Sequence, residues 1–289
     1  MLRRNMLIAA TMAGIALPMG HTAAGVPGSE LKAEVKALER RYGGKLGVAL
    51  LNTTTSNRIA YRGDERFPLC STWKFALTAC VLARVDRQQE RLSRRVLYSA
   101  SDLLAYSPST TPHAGAEGMT VAELCEAAVT ASDNTAANLL LDSVGGPKAL
   151  TAYLRAQGDT TTRLDRSEPA LNDVAPGDPR DTTTPSAMLE TVRRLTLGPA
   201  LSDASRTQLT TWLVNCKTGT TRLRAGLPSD WRIGDKTGSG PRNATTDVAV
   251  IWPPGRAPIV AVAYFIDAPG DEAERSKVLA SIGRLAMAA

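Results

Sequence analysis

The sequence predicts an α/β (α+β) fold, with an antiparallel five-stranded sheet flanked by terminal helices and an inserted all-helical lobe. Strand patterns occur near both ends of the chain, and helix patterns occupy the middle. The last three strand patterns are joined by connections of hairpin length, which favours antiparallel pairing. Because strands from both ends must share one sheet, we expect the helical middle to be an insertion. The cleft between the two lobes is then the expected ligand site.

The N-terminal part predicts one helix and one hairpin. Residues 29–41 place apolar side chains at helical spacing, and a Gly-Gly pair ends the helix. Ser29 and Lys32 form a Ser-x-x-Lys match there, which we interpret as helix capping. Residues 45–52 and 59–62 form two strand patterns separated by a turn.

The middle predicts a series of helices and one long loop. Thr120 and Glu123 form a capping box that opens one helix. Residues 159–181 contain three prolines and no periodicity, so we expect a loop, and loops of this length are usually functional or disordered. A further helix is predicted at Ser71. The remaining predicted helices cover residues 135–144, 147–157, 184–197 and 202–215.

The strand signal returns after Gly226, and a helix closes the chain. Residues 271–288 place apolar side chains on one helical face. The predicted strands cover residues 231–237, 246–252 and 259–267.

The first 24 residues have the features of an export signal. Arg3 and Arg4 precede an apolar run at residues 6–19, and small residues follow up to Ala24. The run is too short to span a membrane, and no later stretch is long enough. We therefore expect cleavage near Ala24 and a periplasmic or secreted protein free of the membrane. The arginine pair also fits a twin-arginine signal, so the export route stays open.

The mature chain, residues 25–289, is long enough for a large core and is expected to form one monomeric domain. The predicted α/β lobe comprises about residues 25–62 and 217–289. The predicted helical lobe comprises about residues 63–216.

Composition excludes several functions. The formal net charge of +6 falls to +4 when the signal removes two arginines, which gives no case for nucleic acid. Of the two histidines, His21 leaves with the signal and His113 lies in a loop. A histidine-based metal site or a Ser-His-Asp triad is therefore not expected, and no cofactor is predicted. Nucleophilic chemistry would need Lys or Glu as its base.

Ser71 and Lys74 open an apolar run. If the run is helical, the two side chains lie one turn apart on one face, beside free backbone N–H groups that favour negative charge. A serine hydroxyl needs a base to act as a nucleophile, and Lys74 could be that base. The alternative is that Ser71 only caps the helix and Lys74 is a surface residue.

Ser132, Asp133 and Asn134 lie between two predicted helices. Asn134 could donate to a substrate amide, and Ser132 could relay a proton to a leaving group. The alternative is an ordinary turn with a helix cap, since all three residue types favour it.

Lys-Thr-Gly occurs twice. The second copy, Lys236, Thr237 and Gly238, ends a strand and precedes Ser239. A strand edge with a lysine, hydroxyls and small residues suits a carboxylate, so we choose this copy for the site. We interpret the first copy, residues 217–219, as a solvated turn.

Glu168 lies in the long loop, with Asn172 four positions further on. A lone glutamate in a loop is usually solvated. Here Arg166 and Asp181 bracket it, and they could pair to close the loop and hold Glu168 inward.

Together these motifs resemble those of the class A β-lactamases, whose pattern combines Ser-x-x-Lys, Ser-Asp-Asn and Lys-Thr-Gly. The resemblance runs from about Ser29 to the last helix in matching order and spacing, and it includes Tyr106-Ser107-Pro108. It implies hydrolysis of the β-lactam amide of penicillins and cephalosporins through a serine acyl-enzyme, and hence antibiotic resistance. The further matching segments are residues 132–141, 166–172 and 181–185.

The resemblance implies a role for each site residue. Ser71 would be acylated, with the backbone N–H groups of Ser71 and Ser239 as the oxyanion hole. Lys74 and Glu168 would assist proton removal, and which is the acylation base stays open. The remaining implied roles are proton transfer to the lactam nitrogen by Ser132 with Lys236, retention of the hydrolytic water by Glu168 with Asn172, substrate binding by Asn134, Thr237 and Ser239, and flanking of the mouth by Tyr106.

Arg222 is expected to help bind the substrate carboxylate. Many members of the family use an arginine on the strand after Lys-Thr-Gly, but residues 243–247 contain none. Other members supply it from the loop before the sheet, where Arg222 falls. Arg242 is the competing candidate, and Arg222 could also be only surface charge.

The resemblance implies no disulfide, although four cysteines in an exported chain permit one. Some members bridge the position of Cys125 to a helix position that is Thr78 here, and Cys80 lies about 200° further around that helix. Others bridge the position of Cys70 to that of Gly240.

Two related functions stay in view. A penicillin-binding D,D-peptidase shares the Ser, Lys and Lys-Thr-Gly elements but lacks the loop with Glu168 and Asn172. A β-lactam sensor shares them too, but it is usually tethered to a membrane.

Overall fold

The computed structural model describes residues 28–289, so the predicted signal segment, residues 1–24, lies outside the described residues. The strands are β1 (Lys45–Asn52), β2 (Arg58–Tyr61), β3 (Phe67–Pro68), β4 (Arg95–Tyr98), β5 (Gly115–Thr120), β6 (Thr182–Thr183), β7 (Arg232–Gly240), β8 (Ala244–Trp252) and β9 (Ile259–Ile266). The α-helices are α1 (Gly28–Tyr42), α2 (Trp73–Asp86), α3 (Val121–Glu126), α4 (Asn134–Val144), α5 (Gly146–Ala156), α6 (Pro185–Leu197), α7 (Asp203–Val214) and α8 (Glu272–Ala286).

Five of the strands form one antiparallel sheet in the order β2-β1-β9-β8-β7, which confirms the predicted sheet. The two ends of the chain meet where β1 pairs with β9, and Lys45 lies opposite Ile266. β7 is an edge strand, so one of its sides is free of strand pairing. The second Lys-Thr-Gly lies on this edge.

Both faces of the sheet are covered, which divides the core in two. Along β9, Val262 and Tyr264 belong to the core shared with the helices between β2 and β7. Ala263 and Phe265 belong to the core formed with α1 and α8. Successive strand residues point to opposite faces, so every residue of β9 is buried.

α2 is the central helix of the middle segment. All residues from Trp73 to Ala83 are buried, because α4, α5 and α7 pack around the helix. The predicted helix start at Ser71 is wrong by two residues. Ser71 lies instead in a 3-10 turn, Cys70–Thr72, that leads into α2.

Local signals located the other helices well. Thr120 N donates to Glu123 Oε2 at 2.7 Å and Glu123 N donates to Thr120 Oγ1 at 3.2 Å, which confirms the capping box. The loop of residues 159–181 contains one short 3-10 turn, Ala170–Asn172. Two short strand pairs, β3–β6 and β4–β5, were not predicted because neither has a clear alternating pattern. None of the helices within residues 28–289 is long and apolar enough to cross a bilayer.

Candidate active site

Nine of the eleven predicted site residues line one open cavity of about 400 Å³ beside β7. The other two, Lys74 and Lys236, are fully buried and bind residues of its wall. Thr218 and Glu272 also line the cavity, and sequence reasoning missed both. The complete lining comprises Ser71, Tyr106, Ser132, Asn134, Glu168, Asn172, Thr218, Arg222, Thr237, Gly238, Ser239 and Glu272.

Ser71 is held by its neighbours in the turn before α2. Thr72 Oγ1 lies 2.6 Å from Leu69 O and 3.1 Å from the Tyr264 hydroxyl, which fixes the turn to β9. β7 passes close by, since a Cβ at Gly238 would lie 2.9 Å from Ser71 N. Only glycine at this position lets the strand approach the turn so closely.

Lys74 is fully buried below the cavity. Its Nζ donates to Ser132 O at 2.8 Å and to Asn134 Oδ1 at 2.6 Å, and it lies 3.4 Å from Glu168 Oε1. Burial lowers the pKa of Lys74, and the Glu168 carboxylate opposes part of that change. Lys74 therefore gives up its proton more readily than a solvated lysine does, which makes the neutral amine more accessible.

Lys236 approaches Ser132 from the opposite side. Its Nζ donates to Ser132 Oγ at 2.9 Å and to Thr237 O at 2.8 Å. Burial lowers the pKa of Lys236 to about 7, and the positive charges of Lys74 and Arg222 act in the same direction. Ser132 thus joins two buried lysines, through its carbonyl to one and through its hydroxyl to the other.

Asp133 fixes the backbone that presents Ser132. Its fully buried carboxylate accepts from Thr110 N at 2.9 Å and caps α4 by accepting from Ala136 N at 2.8 Å. Ser132 itself has a left-handed φ of 59°, which a non-glycine residue rarely adopts. Asp133 is therefore the helix cap that the sequence allowed, while Ser132 and Asn134 face the cavity.

Glu168 is held inward by contacts with α4 and by an ion pair within its loop. Asn138 accepts from Glu168 N at 3.0 Å and donates to Glu168 O at 2.9 Å. Arg166 Nε lies 2.6 Å from Asp181 Oδ2, which confirms the predicted pair. The Glu168 side chain is only 1% exposed, and its Oε2 accepts from Asn172 Nδ2 at 2.7 Å.

The Arg222 guanidinium lies at the end of the cavity beside β7. Its Nη1 donates to Gly238 O at 2.8 Å, and its Nη2 donates to Ser239 Oγ at 2.6 Å and Glu272 Oε1 at 2.9 Å. The competing candidate, Arg242, is paired with Asp267 and is not part of the cavity lining. Arg222 is 4% exposed, so it is not simply surface charge.

The interpretation of the first Lys-Thr-Gly as a solvated turn is wrong for two of its three residues. Lys217 is exposed, but Thr218 lines the cavity and Gly219 is buried. Thr218 Oγ1 lies 2.5 Å from Thr237 Oγ1, so the two copies of the triplet meet. The repetition of the triplet was the only feature of the sequence that pointed to this segment, and it gave no indication that the two copies are in contact.

Within residues 28–289 no cluster of His, Cys, Asp and Glu could hold a metal ion. The four cysteines, all in this range, are free and buried. Burial raises the pKa of the Cys70 thiol to about 12 and that of Cys80 to about 11.

The chain is similar to known β-lactamases in sequence and in fold. The model of the β-lactamase enzyme family matches residues 30–289. β-Lactamase CTX-M-8 of Citrobacter amalonaticus is 47% identical over 283 residues, which cover 98% of this chain and 96% of that protein. β-Lactamase OXY-2 of Klebsiella oxytoca is 50% identical over 248 residues, covering 86% of this chain and 85% of that protein.

A solved structure of an ancestral class A β-lactamase is also similar. It is 63% identical, covers 89% of this chain and 98% of its own, and superposes with a TM-score of 0.87. The match over nearly the whole described chain, with the cavity at β7, leads to one conclusion. The chain belongs to the β-lactamase enzyme family and, within it, to the class A β-lactamases.

Proposed function

We propose that Ser71 is the nucleophile with which this β-lactam hydrolase opens its substrate. The observation that carries the proposal is the bridge at Ser132, which binds both buried lysines beside the cavity that holds Ser71 and Glu168. β-Lactam hydrolysis itself, with antibiotic resistance as its result, follows from the family.

Acylation requires a base for the Ser71 hydroxyl and donors for the developing oxyanion. Lys74, with its lowered pKa, and Glu168, 3.4 Å away, are the two candidate bases. The backbone N–H groups of Ser71 and Ser239 are the proposed oxyanion hole. The close passage of β7 at Gly238 supports this pairing.

Breaking the lactam bond requires a proton on the leaving nitrogen. Ser132 Oγ is the proposed donor, resupplied by Lys236 Nζ at 2.9 Å. A hydroxyl can accept from the ammonium while it donates to the substrate, so one proton moves along the pair as the ring opens.

Hydrolysis of the acyl-enzyme requires a water and a base that activates it. Glu168 is the proposed base, and Asn172 is the proposed second ligand of the water. Asn172 Nδ2 already binds Glu168 at 2.7 Å, whereas its Oδ1 is buried without a hydrogen-bond partner among residues 28–289. This free acceptor supports a water-binding role.

The remaining lining residues would hold the substrate. Thr237, Ser239 and Arg222 offer hydroxyls and a guanidinium to the substrate carboxylate, and Lys236 adds charge below them. Asn134 would donate to the substrate amide, and Tyr106, which is 60% exposed, would flank the mouth.

We also propose that the chain is exported and works as a soluble monomer on small-molecule β-lactams, after loss of residues 1–24. One mature domain, residues 25–289, with the two lobes described above, agrees with a family match that starts at residue 30. No nucleic acid or membrane partner is proposed.

Two variants test the mechanism. Glu168→Ala is expected to form the acyl-enzyme at Ser71 and to release it slowly, because a positioned general base contributes typically 10²–10⁴-fold. Ser71→Ala is expected to form no adduct. Mass spectrometry after mixing with benzylpenicillin measures both.

Glu117→Ala is the matched control, since the Glu117 side chain is 66% exposed and outside the cavity, and it should turn over at the parental rate. Parental turnover by Glu168→Ala, with no adduct seen, would show that deacylation uses another residue. A stable adduct on the parental protein would instead favour a D,D-peptidase.

A further inference from the structure

The first Lys-Thr-Gly, residues 217–219, is built into the wall of the cavity. Lys217 N donates to Thr130 O at 2.9 Å, which ties the segment to the last helical residues before Ser132. On the other side, a Cβ at Gly219 would collide with the Asp235 carboxylate on β7. The segment is therefore held from two directions, and Thr218 lies between these anchors.

The Thr218 hydroxyl belongs to a row of three polar side chains. Cys216 Sγ lies 3.4 Å from Thr218 Oγ1, which lies 2.5 Å from Thr237 Oγ1. Each hydroxyl has one proton to donate and lone pairs to accept with. The heavy-atom positions alone do not say which way the protons point.

A bound substrate would decide the direction. A carboxylate can only accept hydrogen bonds, so a Thr237 hydroxyl that contacts it must donate its single proton to it. Thr218 must then donate to Thr237 for their contact to remain a hydrogen bond. Thr218, in turn, is left free to accept from the Cys216 thiol, a weak donor.

We propose that Thr218 is a positioning residue that aims the Thr237 hydroxyl proton at the substrate carboxylate, through a one-way chain from Cys216 to Thr218 to Thr237. The inference rests on the proposed function, in which Thr237 binds that carboxylate. It gives the first Lys-Thr-Gly a role in selecting anionic substrates.

The chain should act on binding more than on chemistry. The carboxylate is present in the ground state and the transition state alike, so losing the chain should raise KM and leave kcat nearly unchanged. A hydrogen bond of ordinary strength predicts an increase in KM on the order of three- to tenfold.

The test compares Thr218→Val, which keeps the shape and removes the hydroxyl, with Thr218→Ser, which keeps the hydroxyl. Substrates are benzylpenicillin and its methyl ester, in which the carboxylate is capped. Thr218→Val should raise KM for the acid and reduce the preference for acid over ester, and Thr218→Ser should restore both. Thr220→Val, at an exposed neighbour, should match the parental enzyme.

A Thr218→Val enzyme with parental KM for the acid would overturn the inference. So would an equal loss on acid and ester, or a Thr218→Ser variant that fails to restore KM, because either result indicates a purely structural role. The acyl-enzyme that Glu168→Ala should accumulate at Ser71, followed by mass spectrometry, separates the two ideas. If it never forms, the proposed function fails, whereas if it forms normally and Thr218→Val behaves as the parent, only this inference fails.

Discussion

At the scale of single residues, the chemistry depends on the burial of two lysines, which lowers their pKa values. Lys74 and Lys236 are both fully buried, and each lies near the other's positive charge. Ser132 satisfies donors of both, through its carbonyl and its hydroxyl. The site therefore has amines with lowered pKa values in place of the histidine that many serine hydrolases use.

The pKa of Lys236 predicts a pH dependence. Because burial lowers that pKa to about 7, the free enzyme loses the ammonium as pH rises through this value, and kcat/KM for benzylpenicillin should fall. A bound carboxylate favours the charged form, so the fall in kcat should come at higher pH. Steady-state kinetics between about pH 5.5 and 9 measure both the fall in kcat/KM and the fall in kcat.

Lys217→Met, in the other Lys-Thr-Gly, is the control and should leave the profile unchanged, since Lys217 is exposed. Lys236→Arg should remove the alkaline limb, because arginine stays charged. A parental kcat/KM that is flat above pH 7 would contradict the assignment.

Arg222 supplies a second residue-scale prediction. Its guanidinium faces the cavity but already donates to the Glu272 carboxylate. A substrate carboxylate must therefore bind beside Glu272 or displace it from Arg222. Arg222→Ala should lower kcat/KM for benzylpenicillin, with a loss of transition-state binding free energy of about 1.5–3 kcal/mol, as expected for a hydrogen bond to a charged group. Arg242→Ala, which breaks a surface pair with Asp267, should have little effect. An unchanged kcat/KM in Arg222→Ala would remove Arg222 from the carboxylate site.

At the scale of elements, the loop of residues 159–181 is ordered by polar contacts and not by secondary structure. Asp181 is fully buried, pairs with Arg166, and also accepts from Asp165 N at 2.7 Å. Asn138 of α4 binds both backbone groups of Glu168. The loop therefore places a carboxylate in the site, although it has only one short 3-10 turn of its own.

Asp181→Asn should weaken this loop. The amide keeps one oxygen acceptor, but its NH₂ group can face the Arg166 guanidinium, so the ion pair is lost and two donors meet. This should lower the free energy of unfolding by about 1–3 kcal/mol. Deacylation should slow more than acylation, because Glu168 is the residue that the loop positions. Urea denaturation and the accumulation of acyl-enzyme measure the two effects.

The same loop offers a matched control. Asp178 pairs with Arg180 at the surface, so Asp178→Asn should change neither property appreciably. Equal effects of the two substitutions, or parental deacylation in Asp181→Asn, would count against the role given to the Arg166–Asp181 pair.

At the scale of the whole molecule, one sheet with two covered faces places the site. β7 carries the second Lys-Thr-Gly along the sheet edge. The buried α2 brings Lys74 to it, and the 3-10 turn before α2 brings Ser71. The helices pack tightly enough that all four cysteines lie in the interior as thiols.

This packing predicts the behaviour of the thiols. Native protein should react slowly with a thiol reagent, because the four cysteines are buried and the pKa of each is raised by burial. Unfolded protein prepared without reductant should titrate all four. A sample reduced beforehand is the control and should give the same number, whereas two or fewer thiols would reveal a disulfide.

The sequence by itself determined the class of fold, most of the element positions and nearly all of the cavity lining. Helix caps such as Thr120 with Glu123, and the spacing of Ser71 and Lys74, are local signals set by a few neighbouring residues. The motifs were recognisable because each is short and contiguous. Even the Arg166–Asp181 pair could be foreseen from its position around Glu168.

Only the tertiary structure decided how these residues act on one another. Lys236 meets Ser132 across 104 positions of chain, and Arg222 meets Glu272 across 50, so no local pattern could reveal either contact. It also brought Thr218 against Thr237, where sequence reasoning expected a solvated turn. The physical reason is that burial shifts a pKa, and long-range contact pairs a polar group, only after distant elements pack together.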